Sequence, residues 1–155
     1  MKTLQSLLER LAGDPDQAVL IEFQKETVHE WTARELVDGI ERLFLRLRQA
    51  SVDPGDAVML LAAPGPQWIA ACLAVAKVGG VIVPVDAQHD DETVNHILND
   101  CQARFIFTET DKLEQLRRLA VSPDVSLYLL DEREEMEISP VAGADRSPAS
   151  SRPED

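Results

Sequence analysis

The stretch that decides the fold is DAVMLLAAPGPQWIAACLAVAKVGGVIVPVD, residues 56–86. Its apolar runs at 56–62 and 81–85 have the length and the bounding turn residues of buried strands. The segment 68–78 is apolar nearly all round, which predicts a helix covered on most sides. The glycine pair at 79–80 is expected to end that helix. Two buried strands joined by a helix form a right-handed βαβ unit, so the strands are expected to be parallel.

Before this unit, the pattern predicts a helix, a hairpin and a second helix. Leucines at helical spacing indicate a helix over 4–12. The apolar segments 18–23 and 27–31 flank a polar tip, which is typical of a β-hairpin. Because a hairpin is antiparallel, it is expected to lie apart from the parallel strands or at their edge. Thr32 followed by Glu35 is a capping box, which predicts the start of the second helix.

After the unit, helix and strand alternate twice more. An aspartate of the pair at 90–91 is expected to cap a helix, which leads to a strand at 104–108. A fourth helix is expected to begin at Asp111, with Glu114 three positions later in a box-like arrangement, and to lead to a last strand at 124–130. The sequence therefore predicts an α/β fold, a mostly parallel sheet with helices on both faces, preceded by a helix and a β-hairpin.

The chain divides into two parts by composition. Residues 1–131 carry every periodic segment and are predicted to form one α/β unit. Residues 132–155 are acidic and rich in Pro, Ser and Ala, with no hydrophobic period. They cannot bury enough apolar surface to offset the entropy of ordering, so a disordered linker or tail is expected there.

Charge and hydropathy exclude several classes of partner. The formal net charge is −13, which disfavours nucleic acids and anionic membranes because both require clustered Lys and Arg. No apolar run reaches the ~18 residues that suggest a transmembrane segment. The first residues form an amphipathic helix without the apolar core of a signal peptide. A soluble, cytoplasmic protein is expected.

The cysteines and tryptophans are expected to serve packing. Cys72 and Cys101 lie in predicted helices, and two thiols alone make neither a disulfide scaffold nor a metal site. Both are interpreted as small buried apolar groups. Trp31 and Trp68 are interpreted as core anchors and not as stacking platforms for a ligand.

Parallel α/β sheets bind ligands at the carboxyl ends of their strands, so a ligand-binding motif is expected in the loops there. The turn after the first parallel strand reads APGPQ, in which Pro64 and Pro66 lack the N–H groups that a pyrophosphate would need. Pro66 instead suits the first turn of a helix. The chain contains no G-x-G-x-x-G, no G-x-x-x-x-G-K-[ST] and no G-x-S-x-G motif. None of the serines stands out as a nucleophile.

The three histidines are scattered and give no metal-ligand spacing. His29 lies in the hairpin and His96 in a helix, where a half-exposed structural residue is expected. His89 is the best placed, because its loop follows a strand at the expected ligand edge. Asp86 ends the same strand and is expected to make a turn or a cap. From the residues alone, no catalytic, cofactor-binding or metal-binding residue is assigned.

Five spaced features resemble the start of the AMP-forming adenylating enzymes, which include acyl-CoA synthetases, nonribosomal adenylation domains and luciferases. The first is an aromatic residue followed by a Thr-capped helix with a leucine-rich stripe (Trp31 to Leu47), and the second is a V-x-P-G-D turn (Val52 to Asp56). The third is a Pro-x-Trp helix start (Pro66 to Trp68). The last two are an A-x-x-K-x-G-G-x-x-V-P-V-D passage (Ala74 to Asp86) and an I-L-x-D-x-x-A-R step from helix to strand (Ile97 to Arg104). Their order and spacing agree across the predicted α/β unit, although each feature is structural and none is catalytic.

The resemblance implies a two-step reaction. A carboxylic acid and ATP form an acyl-adenylate and pyrophosphate, and a thiol, usually that of CoA, then displaces AMP. The family's ATP-binding loop, its other ATP-contacting motifs and its mobile catalytic lysine have no counterpart here, so no catalytic residue is carried over. The chain is expected to need no cofactor itself, whereas the complete enzyme would use ATP, Mg and CoA. Its expected partner is the remainder of its own polypeptide.

The resemblance leaves the branch of the family open. The N-terminal helix, the DPDQAVLI approach and the SRPED ending resemble fatty-acid and general acyl-CoA ligases, so the N-terminal fragment of such a ligase, inactive alone, is the first hypothesis. A nonribosomal-type adenylation domain is the second. A standalone, non-catalytic interaction module of the same fold is the third, and a small nucleotide binder would need a phosphate loop that is not found. A fragment is expected to expose an apolar patch of several hundred Å².

Overall fold

The computed structural model describes residues 3–132 and the backbone of residues 137–138. The helices are α1 (Leu4–Gly13), α2 (Ala33–Gln49), α3 (Pro66–Val78), α4 (Asp91–Cys101) and α5 (Leu113–Arg118), the last preceded by a 3₁₀ turn (Thr110–Lys112). The strands are β1 (Ala18–Gln24), β2 (Thr27–Thr32), β3 (Ala57–Leu61), β4 (Val81–Val85), β5 (Phe105–Thr108), β6 (Ser126–Leu129) and β7 (Glu137–Ile138). The predicted α/β class is confirmed.

The strands form two separate sheets. β1 and β2 make an antiparallel ribbon of their own, as predicted for the hairpin. The second sheet has the order β4-β3-β5-β6-β7, in which the first four strands are parallel and β7 runs antiparallel to β6. β7 was not expected, since it lies within the segment 132–155 for which disorder is predicted. The rest of that segment beyond residue 132 lies outside the described residues.

Alternating side chains of the parallel strands fill two cores, one on each face of the sheet. Val58 and Leu60 of β3 join the core that α2 and α3 cover, and α1 packs at its margin. Met59 and Leu61 of the same strand join the core that α4 and α5 cover. Burial on both faces explains why the strands read as continuous apolar runs. The predicted helices on both faces are confirmed.

The apolar helix α3 is buried on one side and partly covered on the other. Ala70 and Ala74 are fully buried. Cys72 and Leu73 lie on the opposite side of the helix, which is partly open to solvent, and are half-buried. α2 approaches α3 closely, because a Cβ added to Gly39 would lie 3.6 Å from the Cβ of Ala70. Small residues at the contact therefore allow the two helices to share one layer on this face.

Two helix starts follow the capping prediction. The Glu35 N–H donates to Thr32 Oγ1 at 3.2 Å, and the Thr32 N–H donates to Glu35 Oε2 at 2.8 Å, so the capping box of α2 is confirmed. Of the aspartate pair at 90–91, Asp90 is the cap of α4 and accepts from the Thr93 N–H at 2.9 Å. Hydrogen bonds from the side chain and then the backbone of Thr93 lower the pKa of the Asp90 carboxyl.

The predicted helix start at Asp111 is wrong. The chain first makes the 3₁₀ turn, and α5 follows it without a side-chain cap. The N–H of Thr110 instead donates to the carboxylate oxygens of Asp131 at 3.0 and 3.1 Å. Glu114, expected to complete a box, pairs with Arg117. A carboxylate that is distant in sequence thus replaces the local cap, which a rule based on spacing cannot detect.

Candidate functional site

The course of the chain leaves a crevice at one edge of the parallel sheet. β4 and β5 pair with opposite sides of β3. The helix that follows β3, α3, packs on one face of the sheet, and the helix that follows β5, α5, packs on the other. The connections therefore diverge at the carboxyl ends of β3 and β5, which is the topological switch point where open α/β sheets place ligands.

A cavity of about 310 Å³ occupies this position, and we call it the switch-point crevice. The loop after β3 and the start of α3 supply one wall, the residues after β5 and β6 supply the floor, and the hairpin closes the opposite side. Its lining residues are Glu22, Gln24, Trp31, Ala63, Pro64, Gly65, Pro66, Gln67, Trp68, Glu109, Leu130 and Asp131. The crevice is thus built from four separate segments of the chain.

Three hydrogen bonds fix the loops around the switch-point crevice. The buried hydroxyl of Thr108, at the end of β5, donates to the carbonyl oxygen of Leu61, at the end of β3, over 2.8 Å. Next to it, Glu109 Oε2 accepts from the Ala63 N–H at 3.1 Å. Asp131, after β6, accepts from the first N–H of the 3₁₀ turn. The strand ends are therefore joined by contacts that a movement of one loop would break.

The lining of the crevice is acidic and aromatic. Among the described residues that line it, the charged side chains are Glu22, Glu109 and Asp131, with no Lys, Arg or His. Glu22 accepts from the indole N–H of Trp31 at 3.2 Å, so all three carboxylates already accept a hydrogen bond from the protein. Pro66 opens α3 and lacks an N–H. This described lining offers acceptors and ring surfaces but no cation for a phosphate group.

The candidates predicted after β4 lie outside the crevice. His89 is exposed, and it is the backbone carbonyl of this residue that accepts a hydrogen bond, from Gln115 Nε2 at 2.9 Å. Asp86 Oδ1 accepts from the Gln88 N–H at 2.9 Å. The expected turn role of Asp86 is confirmed, and the structure joins neither side chain to the other candidates.

The other two histidines each face a nearby carboxylate on the surface. His29 Nε2 lies 3.7 Å from Glu35 Oε1, and the His29 ring meets the ring of Trp31 edge-on, with 5.9 Å between centroids. His96 Nε2 lies 3.3 Å from Asp100 Oδ2, one helical turn away. The structure does not bring the histidines together, and within residues 3–132 no cluster of His, Cys, Asp and Glu could hold a metal ion.

The tryptophans combine the packing role with a second one. Trp31 is 9% exposed, Trp68 packs against the core, and both rings also line the crevice. The cysteines are half-buried free thiols. Burial raises the pKa of the Cys72 thiol, which suits a packing group and not a nucleophile.

Residues Glu109 and Asp131 of the crevice were missed from the sequence, although a signal exists. Each follows a strand at the carboxyl edge of the parallel sheet, where a polar side chain meets the ends of the neighbouring strands. Glu22 carries no such signal, because the position of the hairpin relative to the sheet depends on packing between elements.

Comparisons with known proteins agree on one family. The family model described as AMP-binding enzyme matches residues 7–155. Tyrocidine synthase 3 of Brevibacillus parabrevis is 33% identical over 108 residues, which cover 70% of this chain and 2% of that protein. The chain thus spans a small part of that curated relative.

Solved structures share the fold at lower identity. The fatty acyl-adenylate ligase from L. pneumophila, in complex with acyl adenylate and pyrophosphate, has a TM-score of 0.73 at 20% identity, over 86% of this chain and 24% of that chain. The acyl-CoA synthetase of Brucella canis has a TM-score of 0.69 at 20% identity, over 82% of this chain and 23% of that chain.

Among the residues described, no helix combines the length and the hydropathy needed to cross a membrane. The fold agrees with that of these two solved structures. Because the family model extends over residues 7–155, the chain belongs to the AMP-binding enzyme family, the adenylate-forming enzymes that its sequence resembles.

Proposed function

We propose that this chain is the amino-terminal scaffold of an enzyme that activates a carboxylic acid with ATP. A carboxylate oxygen of the acid would bond to the α-phosphorus of ATP, while the bond to the β-phosphate breaks and pyrophosphate leaves. The observation that carries the proposal is the match of the AMP-binding enzyme model to residues 7–155.

The described residues do not fit a site for the triphosphate of ATP or for its Mg²⁺. The switch-point crevice carries Glu22, Glu109 and Asp131 without a cation, and a triphosphate would meet like charges there. In the proposed enzyme, the groups that bind ATP, Mg and the acid therefore belong to chain beyond this scaffold. The role of the scaffold is to hold the loops at the carboxyl edge of its sheet in fixed positions.

Two thiol acceptors are compatible with this scaffold. CoA is the acceptor in the acyl-CoA ligase indicated by the sequence features, and the fold shared with the acyl-CoA synthetase of Brucella canis is consistent with it. A carrier-bound thiol is the acceptor in a nonribosomal-type adenylation domain. The 33% identity to tyrocidine synthase 3 favours this second candidate, because it is higher than the 20% identity to the acyl-CoA synthetase of Brucella canis.

The proposal is tested by ATP–pyrophosphate exchange. The 155-residue chain is assayed beside a longer protein made from the continuation of its reading frame, each with a panel of fatty, aromatic and amino acids. We expect exchange by the longer protein with at least one acid and none by the 155-residue chain. Exchange by the 155-residue chain alone would contradict the scaffold role.

The acceptor is then identified with the same longer protein. Formation of acyl-CoA from CoA supports the ligase, and loading of a phosphopantetheinyl carrier protein supports the adenylation domain. A reading frame that stops after Asp155, together with a specific protein partner, would favour the remaining hypothesis, a standalone interaction module.

A further inference from the structure

The hairpin carries its apolar side chains on the face turned away from the protein. In β1 and β2, Phe23 pairs with Val28, and Ile21 pairs with Glu30, so these side chains share one face. Ile21 is 57% exposed, Phe23 79% and Val28 61%. We call Ile21, Phe23 and Val28 the hairpin face.

The opposite side of the same ribbon faces the switch-point crevice and is more polar. Glu22 and Gln24 line the crevice together with Trp31. A surface ribbon normally turns its apolar residues towards the core and its polar residues towards water. The pattern here is the reverse at Glu22 to Gln24, which indicates that the hairpin face is covered in the functional protein.

We propose that the hairpin face is a docking surface for an apolar surface of the same polypeptide, carried by chain beyond residue 155. The inference rests on the proposed function, in which this chain is one part of a longer enzyme. The chain covers 24% of the solved fatty acyl-adenylate ligase chain, which leaves most of such an enzyme to supply the occupant.

The size of the hairpin face favours an occupant in the same polypeptide over a second copy of the chain. At the exposed fractions given above, the three side chains present roughly 350 Å² of apolar surface, in the range of ~300–600 Å² for the largest patch on a monomer. Stable complexes between separate proteins bury about 800 Å² per partner. Interfaces between domains of one chain are smaller, at roughly 300–750 Å² per side, because covalent linkage raises the effective concentration.

Hydrogen exchange in the longer protein tests the docking. We expect the amides of residues 21–30 to exchange at least about tenfold more slowly in the longer protein than in the 155-residue chain. The double variant Phe23→Thr, Val28→Thr keeps strand propensity but removes apolar surface. It is expected to restore fast exchange in the longer protein and to lower the Tm of the longer protein more than that of the 155-residue chain.

Leu45→Gln is the matched control, because Leu45 is 56% exposed on α2, outside the hairpin. It is expected to change neither the hairpin exchange nor the difference in Tm. Equal exchange of residues 21–30 in both proteins would overturn the docking. So would a dimer of the 155-residue chain, seen by sedimentation, that the double variant dissociates.

Pyrophosphate exchange by the same longer protein separates the two proposals. Activity with an unprotected hairpin would overturn the docking and leave the proposed function standing. A protected hairpin without activity on any acid would support the docking and overturn the proposed function. A reading frame that stops after Asp155 would overturn both.

Discussion

The hydroxyl of Thr108 donates a hydrogen bond of 2.8 Å to the carbonyl oxygen of Leu61, and Thr108 is fully buried. The bond joins the carboxyl ends of β5 and β3 at the switch point. Thr108→Val keeps the shape of the side chain but leaves the Leu61 carbonyl with one donor fewer. We expect the variant to lose about 1–2 kcal/mol of unfolding free energy.

Urea unfolding followed by circular dichroism measures that loss. Thr27→Val is the control, since it removes a hydroxyl bond of the same kind, from Thr27 Oγ1 to the Gln24 carbonyl at 3.1 Å, at an exposed position where water can replace the donor. The control is expected to stay within about 0.5 kcal/mol of the parent. Equal midpoints for the parent and Thr108→Val would show that the hydroxyl bond does not stabilise the strand ends.

The capping box of α2 provides a second prediction. Thr32→Ala removes the acceptor of the Glu35 N–H and should cost about 1 kcal/mol. Thr32→Ser keeps an acceptor oxygen and should recover most of the stability. The Tm of the three proteins, measured by differential scanning calorimetry, checks the order. If the alanine and serine variants melt together, the Thr32 side chain is not the source of the stability.

The end of α3 gives a prediction with an internal control. Gly79 has φ +80°, and an added Cβ would lie 3.2 Å from the Cβ of Pro54. Gly79→Ala is therefore expected to cost at least about 1–2 kcal/mol, since a side chain is strained in the left-handed region. Gly13→Ala meets no atom within 4 Å and should be neutral or slightly stabilising. Chemical denaturation of both variants measures the contrast, and similar losses in both would contradict it.

The start of α4 is expected to lose stability in acid. The hydrogen bonds and charge of Arg118 lower the pKa of the Asp91 carboxyl, to which Arg118 Nε donates at 2.8 Å. A lowered folded pKa stabilises the fold fully above the ordinary aspartate value of about 3.9. This contribution is lost as the pH falls through the folded pKa.

Asp91→Asn should therefore melt below the parent at neutral pH, and the gap in Tm should close as the pH falls below the ordinary aspartate pKa. Thermal melts from pH 7 downwards check this expectation. In 1 M salt the gap at neutral pH should shrink, because both side chains are exposed to solvent. A gap that persists unchanged in acid would mean that the carboxylate charge is not responsible.

Local patterns predicted those parts of the fold that depend on neighbours in sequence. The βαβ unit over 56–86 follows from apolar run lengths and turn residues, and the α2 cap follows from the spacing of Thr32 and Glu35. The separate hairpin follows from its antiparallel pairing. In each case the interacting residues lie close along the chain, so their spacing is sufficient.

The parts that were missed depend on contacts between distant segments. The carboxylate of Asp131 reaches the N–H of Thr110 across 21 positions, which spacing rules cannot detect. The contribution of the hairpin to the switch-point crevice depends on how the ribbon packs, and β7 depends on backbone pairing at a sheet edge. The choice between the proposed thiol acceptors has no physical signal in the described residues, because none of them is assigned to bind an acceptor.

The outer edge of β4 has a consequence for how this domain meets other chains. Val81 donates its N–H to the Asp56 carbonyl on the β3 side, so by alternation the nitrogen of Pro84 faces the open edge. A proline nitrogen has no hydrogen to donate, which deprives an incoming strand of one ladder bond. The opposite edge of the described sheet is β7, a strand of two residues, which offers an incoming strand little to pair with. The protein is therefore a poor template for fibril growth through its larger sheet.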